Sequence, residues 1–285
     1  MSFQSVGVVG AGLMGAGIAE VCAAGVPVTL VDVDRAAVEA GRNRIGTSLD
    51  SRVRKGRLTA EAARTTLDNL RTSTSVDDLA GSDLVIEAVV ESLTVKQELF
   101  RALDDLLPPT AVLASNTSSL PVISIAKSTT RPNRVIGLHF FNPPPALDLI
   151  ELTSSLLTDP AVADTVAGWF DDTLNRRVIR SQDRAGFVVN ALLVPYLLSA
   201  VRMLESGFAD RDDIDAGMQR GCGHPMGPLQ LLDLIGLDTM VLVADGLYEE
   251  WQDRAMLAPV LLRRMVDGGL LGRKSGRGFY DYPSN

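Results

Sequence analysis

Two cysteines, two histidines and two tryptophans in 285 residues leave little material for several kinds of protein. Cys22 and Cys222 lie far apart and without metal-ligand spacing. That argues against a disulfide scaffold and a metal site, and for a reducing, cytoplasmic setting. Long apolar runs are also missing. The longest, "FVVNALLVPYLLSAV" (187–201), is broken by Asn190 and Pro195 and reads as a buried helix rather than a membrane span. No basic or Arg-rich leader precedes the first strand-like run, so no targeting segment is expected. The net charge of −8 and pI near 4.9 argue against a nucleic-acid or anionic-membrane surface. An anionic ligand would need a local basic pocket.

Glycine, by contrast, is concentrated at one place. "VGVVGAGLMGAGIAE" (6–20) carries Gly10, Gly12, Gly15 and Gly17 directly after an apolar run. Ordering a glycine costs more conformational entropy than ordering any other residue, so a packed core alone does not call for four of them. Gly10-Ala11-Gly12-Leu13-Met14-Gly15 is a G-x-G-x-x-G that follows a strand and opens a helix. Gly10 would make the tight turn, Gly12 would let a diphosphate approach the backbone, and Gly15 would let helix and strand pack closely. Asp32 closes the next strand at the position expected to hold adenosine ribose hydroxyls, which favours NAD over NADP; the neighbouring Arg35 would suit a 2′-phosphate instead. A tight turn without a ligand is the competing explanation.

The wider pattern supports a dinucleotide-binding fold. Strand candidates at 6–10, 28–32, 84–89, 111–116 and 135–140 alternate with helical stretches, and "LDLIELTSS" and "NRRVIRSQ" add late strands. Nearly all-apolar strands in alternation with helices predict an α/β, doubly wound, mainly parallel sheet. After about residue 184 only helical patterns follow, among them "GPLQLLDLIGLDTMVLVADGLYEEW". The expected domains are 1–183 (dinucleotide-binding) and 184–285 (a smaller, all-helical domain), joined near 180–185.

With two histidines, candidates for proton transfer are few. His139 ends a strand, and Glu151 follows on what reads as the adjacent strand. A carboxylate beside an imidazole fixes its tautomer and stabilises its charged form, which suits a general base for alcohol oxidation. A histidine held structurally at a strand end is the plainer alternative. His224, in a turn before a helix, reads as structural, and Trp169 and Trp251 as packing residues.

Seven segments in order, "VGVVGAGLMGAGIA", "LVIEAVVES", "LASNTSSL", "GLHFFNPPP", "GFVVNALLVPYL", "HPMGPLQLLDLIGLD" and "LGRKSGRGFYDY", make the chain similar along nearly its full length to the short-form 3-hydroxyacyl-CoA dehydrogenases, bacterial 3-hydroxybutyryl-CoA dehydrogenases among them. The resemblance implies NAD as cofactor and reversible oxidation of a short (S)-3-hydroxyacyl-CoA. It implies His139 as the base paired with Glu151. Ser118 is implied to meet the substrate's C3 oxygen and the nicotinamide, and Asn190 to be a second polar contact. Glu91, Lys96, Asn142 and Lys274 match positions lining the cofactor site. Ser48 and Lys55 match positions that meet CoA, and a homodimer through the helical domain is implied.

Arg52, Arg54, Lys55 and Arg57 concentrate positive charge on one helix of an acidic chain, suited to CoA phosphates, to an acidic acyl carrier protein, or to plain solvation. A buried Asn190 in an apolar helix would need a partner. Two departures from the family pattern stand out. The first helix is one residue short before "VPVTL", and Ala185 and Ala191 stand where relatives often carry proline and arginine. A hydroxyacyl-carrier-protein dehydrogenase and a non-catalytic NAD-binding structural protein are the competing readings.

Overall fold

The computed structural model describes residues 3–282. The chain forms two compact units that meet between Asp183 and Arg184.

The first unit runs β1 (Val6–Val9), α1 (Leu13–Ala23), β2 (Val28–Val31), α2 (Arg35–Arg54), α3 (Ala60–Asp68), β3 (Leu70–Ser73), β4 (Leu84–Glu87), α4 (Leu93–Leu106), β5 (Val112–Ser115), α5 (Val122–Ala126), β6 (Val135–Phe140), β7 (Leu149–Ser154), α6 (Pro160–Leu174) and β8 (Arg177–Gln182). The strands form one sheet in the order β3-β2-β1-β4-β5-β6-β7-β8. Every neighbouring pair is parallel except β6–β7. Successive strand residues feed two separate cores, as the period of two requires. Val8, Ile86 and Ala114 pack with α1, α2 and α6, while Val9, Val85 and Leu113 pack with α4 and α5. Helices cover both faces, and the apolar strands are accounted for.

Helix starts follow local chemistry. Asp34, Thr59 and Asp159 each accept a backbone N–H of the first turn of α2, α3 and α6. Asp183 caps α5 by accepting the N–H groups of Val122 and Ile123 at 2.8 and 2.7 Å. Strand β3 lies outside the strands named from the sequence. For β3 the reason is plain: "LRTS" is an edge strand with one buried residue, Leu70, and shows no apolar alternation.

The second unit contains α7 (Val189–Glu205), α8 (Arg211–Ala216), a π-helical turn (Gly217–Gly221), α9 (Pro228–Ile235), α10 (Leu237–Trp251) and α11 (Val260–Asp267). The stretch 227–251 is two helices rather than one, because Gly236 adopts φ 101° and ψ 125° and breaks the hydrogen-bond ladder. Two buried carboxylates tie this unit together. Asp215 accepts the N–H groups of Leu229 and Gln230 at 2.8 and 3.0 Å, and Asp233 accepts those of Phe279 and Tyr280, both at 2.9 Å. Trp251 donates its indole N–H to Ala185 O at 3.0 Å, while Trp169 is buried against Phe3 and Phe170. Among the described residues no helix is long and apolar enough to cross a membrane, and no cluster of His, Cys, Asp or Glu could hold a metal ion.

The end of α4 depends on one arginine. Arg131 Nε meets the buried Asp104 at 2.5 Å, and its other N–H groups reach the terminal carbonyls of Asp104, Leu107 and Pro108. Burial pushes the Asp104 carboxyl up, but hydrogen bonds from Thr130 and Arg131 and the guanidinium charge outweigh it and hold it below its ordinary value. A depressed carboxyl contributes stability that is present above its unfolded pKa of about 3.9 and lost as pH falls through its lower folded value. Arg131→Ala should therefore cost about 3 kcal/mol near neutral pH in urea melts. The gap from wild type should narrow below about pH 4.

Candidate active site

The C-terminal ends of parallel strands β1, β4, β5 and β6 share one edge of the sheet, where ligands of open α/β sheets bind. The strand order reverses between β1 and β4, and the glycine turn sits at that switch point. Gly10 holds φ 102°, and a Cβ on it would lie 2.5 Å from Ala88 O. A Cβ on Gly15 would lie 1.7 Å from Gly10 O, so this glycine is required for α1 to pack on β1. Gly12 is different. It has an ordinary φ of −65°, and a Cβ there would meet nothing within 4 Å. The protein's own packing does not call for a glycine at that position. What a side chain would occupy is the space beside the N-terminus of α1, where free N–H groups and the helix dipole favour a diphosphate.

Asp32, at the end of β2, accepts the Ala11 N–H at 2.8 Å and the Asp34 N–H at 3.2 Å, which fixes its carboxylate against the turn. Arg35 is exposed and pairs with Glu39 at 3.3 Å. Leu13 and Met14 open α1, and Leu13 is 58% exposed. These residues fit a dinucleotide without a 2′-phosphate.

His139 and Glu151 are direct partners in the antiparallel β6–β7 register. His139 Nδ1 lies 2.7 Å from Glu151 Oε2; the carboxyl is fully buried, and the imidazole keeps 11% of its side chain exposed. The half-buried Ser118 stands in the turn after β5. Asn116 ties that turn to β6, because its Oδ1 accepts the Phe140 N–H at 2.9 Å. The His139–Glu151 pair and the Ser118 turn are thus tied together at one sheet edge by a residue the sequence reading did not single out.

Glu91 accepts from Thr117 Oγ1 at 2.5 Å and from the Ser118 N–H at 3.1 Å. Burial raises its carboxyl, but the Lys96 charge and these hydrogen bonds outweigh it and hold it below the ordinary range. Lys96, expected to line the cofactor site, is fully buried and bridges Glu87 and Glu91 at 2.6 and 3.1 Å. Glu87 was also missed, although an acidic residue ending a four-residue apolar strand is a legible warning that a partner exists. Asn142 is exposed, just past β6 and before the cis bond to Pro143.

A cleft of about 630 Å³ runs along α1 and α2, lined by Leu13, Glu20, Arg44, Ser48 and Pro144 among others. Gly17 admits the proline wall, since a Cβ there would sit 2.7 Å from Pro144 Cδ. Arg52 is drawn to Glu20 at 2.9 Å, leaving Arg54, Lys55 and Arg57 as the exposed cations of that stretch. Lys55 caps the end of α2 beyond the cleft lining, on the helix face that carries Ser48. In the helical unit Asn190 occupies the first turn of α7 and is only half-buried, which corrects the expectation of a buried amide. Lys274 pairs with Asp238 at 2.7 Å, and His224 meets Tyr196 Oη at 3.2 Å.

The contrast between two glycines gives a test. Gly12→Ala should leave the melting temperature within about 1 °C of wild type, as expected for a substitution into open space. Titration of NADH fluorescence should show it weakening binding at least about tenfold by crowding the diphosphate. Gly15→Ala should instead destabilise the fold itself, by about 3 kcal/mol or more in urea melts.

The family model for the 3-hydroxyacyl-CoA dehydrogenase NAD binding domain matches residues 5–184, and that for the 3-hydroxyacyl-CoA dehydrogenase C-terminal domain matches residues 186–282. The chain is 53% identical over 283 residues to a 3-hydroxybutyryl-CoA dehydrogenase of Mycobacterium tuberculosis, covering 99% of both chains. It is 41% identical to the mitochondrial hydroxyacyl-coenzyme A dehydrogenase of Sus scrofa, over 98% of this chain and 91% of the relative. The crystal structure of (S)-3-hydroxybutyryl-CoA dehydrogenase from Ralstonia eutropha superposes with a TM-score of 0.95 at 42% identity, over 99% of this chain and all of that one. With both domains matched in order, the chain belongs to the 3-hydroxyacyl-CoA dehydrogenase family, and its glycine turn is part of that family's NAD-binding domain.

Proposed function

We propose that the protein interconverts short-chain (S)-3-hydroxyacyl-CoA and 3-oxoacyl-CoA, with 3-hydroxybutyryl-CoA and acetoacetyl-CoA as the working pair and His139 as acid and base. The observation that carries this reading is the 2.7 Å contact between His139 and the fully buried Glu151, at the ligand-binding edge of an NAD-binding sheet. When bound, NAD supplies the hydride acceptor for oxidation and NADH the donor for reduction.

The residues do the rest. With a carboxylate at Nδ1, the imidazole carries its proton there and donates it to Glu151, which leaves the Nε2 lone pair to take the C3 hydroxyl proton. The imidazolium that forms is stabilised by the buried carboxylate, whose attraction is weakly screened because water is excluded. Ser118 donates to the C3 oxygen as it becomes a carbonyl. Asp32, Glu91, Lys96 and Asn142 serve the cofactor in this reading, Lys96 acting through Glu91. The cleft along α1 and α2 takes the CoA moiety, with Ser48 and Lys55 as contacts.

The exposed apolar side chains of the helical unit, Leu192, Phe208, Leu242 and Val260, support a homodimer through that unit. Work in the cytoplasm is supported by two free cysteines.

NADH consumption with acetoacetyl-CoA, beside NADPH and beside the same acyl group on a carrier protein, tests the assignment. Turnover should be greatest with NADH and the CoA ester; activity confined to the carrier-bound substrate would move the enzyme to another class of acyl donor. His139→Ala should lower kcat by about 10²–10⁴-fold. NADH affinity, read by fluorescence, should stay within about twofold of wild type in that variant, since the general base holds no part of the cofactor in this reading. Unchanged turnover would remove His139 from the mechanism.

A further inference from the structure

Beneath the Ser118 turn lies a charge cluster that costs stability and that acid–base chemistry does not use. Glu87 ends β4 and is fully buried. Its Oε1 accepts from Lys96 Nζ at 2.6 Å and from the Val89 N–H at 2.7 Å, and its Oε2 accepts from Ser115 Oγ at 2.7 Å. One carboxylate therefore joins the ends of β4 and β5 to α4. Lys96 divides its ammonium between Glu87 at 2.6 Å and Glu91 at 3.1 Å. Glu91 gives its other oxygen to Thr117 Oγ1 and the Ser118 N–H. Thr117 Oγ1 accepts in turn from the Leu120 N–H at 2.9 Å, so the turn carrying Ser118 is wound around a side chain that Glu91 holds.

A carboxylate and an ammonium that are both fully buried, Glu87 and Lys96, are expensive to desolvate, and apolar residues of similar volume would stabilise the site as well or better. What the cluster supplies is a fixed chain of contacts from a rigid strand end to a turn with no regular structure of its own. We propose that Glu87 is a positioning residue for Ser118: by sharing the Lys96 ammonium with Glu91 it keeps Glu91 Oε1 on Thr117 and the Ser118 N–H, and so sets where the Ser118 hydroxyl stands. This rests on the reading of Ser118 as the donor to the C3 oxygen. In Glu87→Gln the amide keeps the shape but not the charge. Lys96 then turns to Glu91 as its sole ionised partner and draws that carboxylate away from the turn.

The test is a double-mutant cycle on the full-length protein, with acetoacetyl-CoA and NADH as substrates. Glu87→Gln should lower kcat about tenfold or more, the scale of a misplaced catalytic contact, with KM for acetoacetyl-CoA within about threefold. In the Ser118→Ala background the same substitution should cost less than about twofold, because the contact it positions is already gone. A structural role would instead slow both backgrounds by the same factor, and that result overturns the proposal, as does Glu87→Gln at the wild-type rate. Ser118→Ala at the wild-type rate would overturn the reading of Ser118 and the proposal with it. Should Glu87→Gln not fold, Glu87→Asp keeps the charge but withdraws it from Lys96 by one methylene. It should lower kcat in the wild-type background and cost less than about twofold in the Ser118→Ala background, and equal losses in both would overturn the proposal.

Discussion

A charge taken out of water must be met by a counter-charge or by enough hydrogen-bond donors, and this chain uses that requirement at several places where separate segments meet. Glu151 is fully buried and answered by His139 from the neighbouring strand. Glu87 is answered by Lys96 and Ser115, Asp104 by Arg131, and Asp233 by backbone N–H groups near the C-terminus. Apolar burial holds the two cores together without direction. The carboxylates add direction, because each accepts from particular atoms at particular distances. The contact proposed to do chemistry, between His139 and Glu151, is one instance of a device that recurs along the chain. It differs from the others in that its nitrogen partner is an imidazole rather than an ammonium, a guanidinium or the backbone.

Space is managed as carefully as charge. At Gly15 the backbone of the turn occupies the place of a side chain, so the glycine serves the fold. At Gly12 nothing among the described residues does, so packing does not explain that glycine, and its place at a helix N-terminus suits a diphosphate. A sequence motif cannot separate these two roles, since both positions read as G in the same hexapeptide. Geometry separates them at once, and it turns a pattern into a physical argument for a bound diphosphate.

The sheet and the glycine turn were legible because parallel strands buried on both faces leave runs that are almost wholly apolar, and because the turn needs glycines at fixed spacing. The edge strand "LRTS" was not, since it owes its place to its neighbour β2 rather than to its own pattern. The helical stretch at 227–251 concealed a break because one glycine inside an apolar run reads the same whether it continues a helix or ends it; only φ tells them apart. For the site, the sequence placed His139 and Glu151 on adjacent strands, and the register pairs them directly. Glu87, Thr117 and Asn116 stayed hidden because each acts on another side chain or on backbone. Nothing in residue type or spacing announces a hydrogen bond between the turn after β5 and the end of β6.

The basic stretch at the end of α2 shows why composition alone misjudges a binding surface. Four cations within six residues suggest one patch, yet Arg52 is committed to Glu20 inside the cleft and only Arg54, Lys55 and Arg57 face solvent. Those three also stand at a helix C-terminus, where positive charge is favoured with no ligand at all. The two uses are compatible. A helix end that prefers cations holds them at the end of α2, which also lines the cleft proposed to take the CoA moiety. The Glu20–Arg52 pair then matters for shape more than for attraction. It pairs charge on the cleft wall, while the exposed cations supply the positive charge that the proposed anionic substrate would meet on a chain of net charge −8.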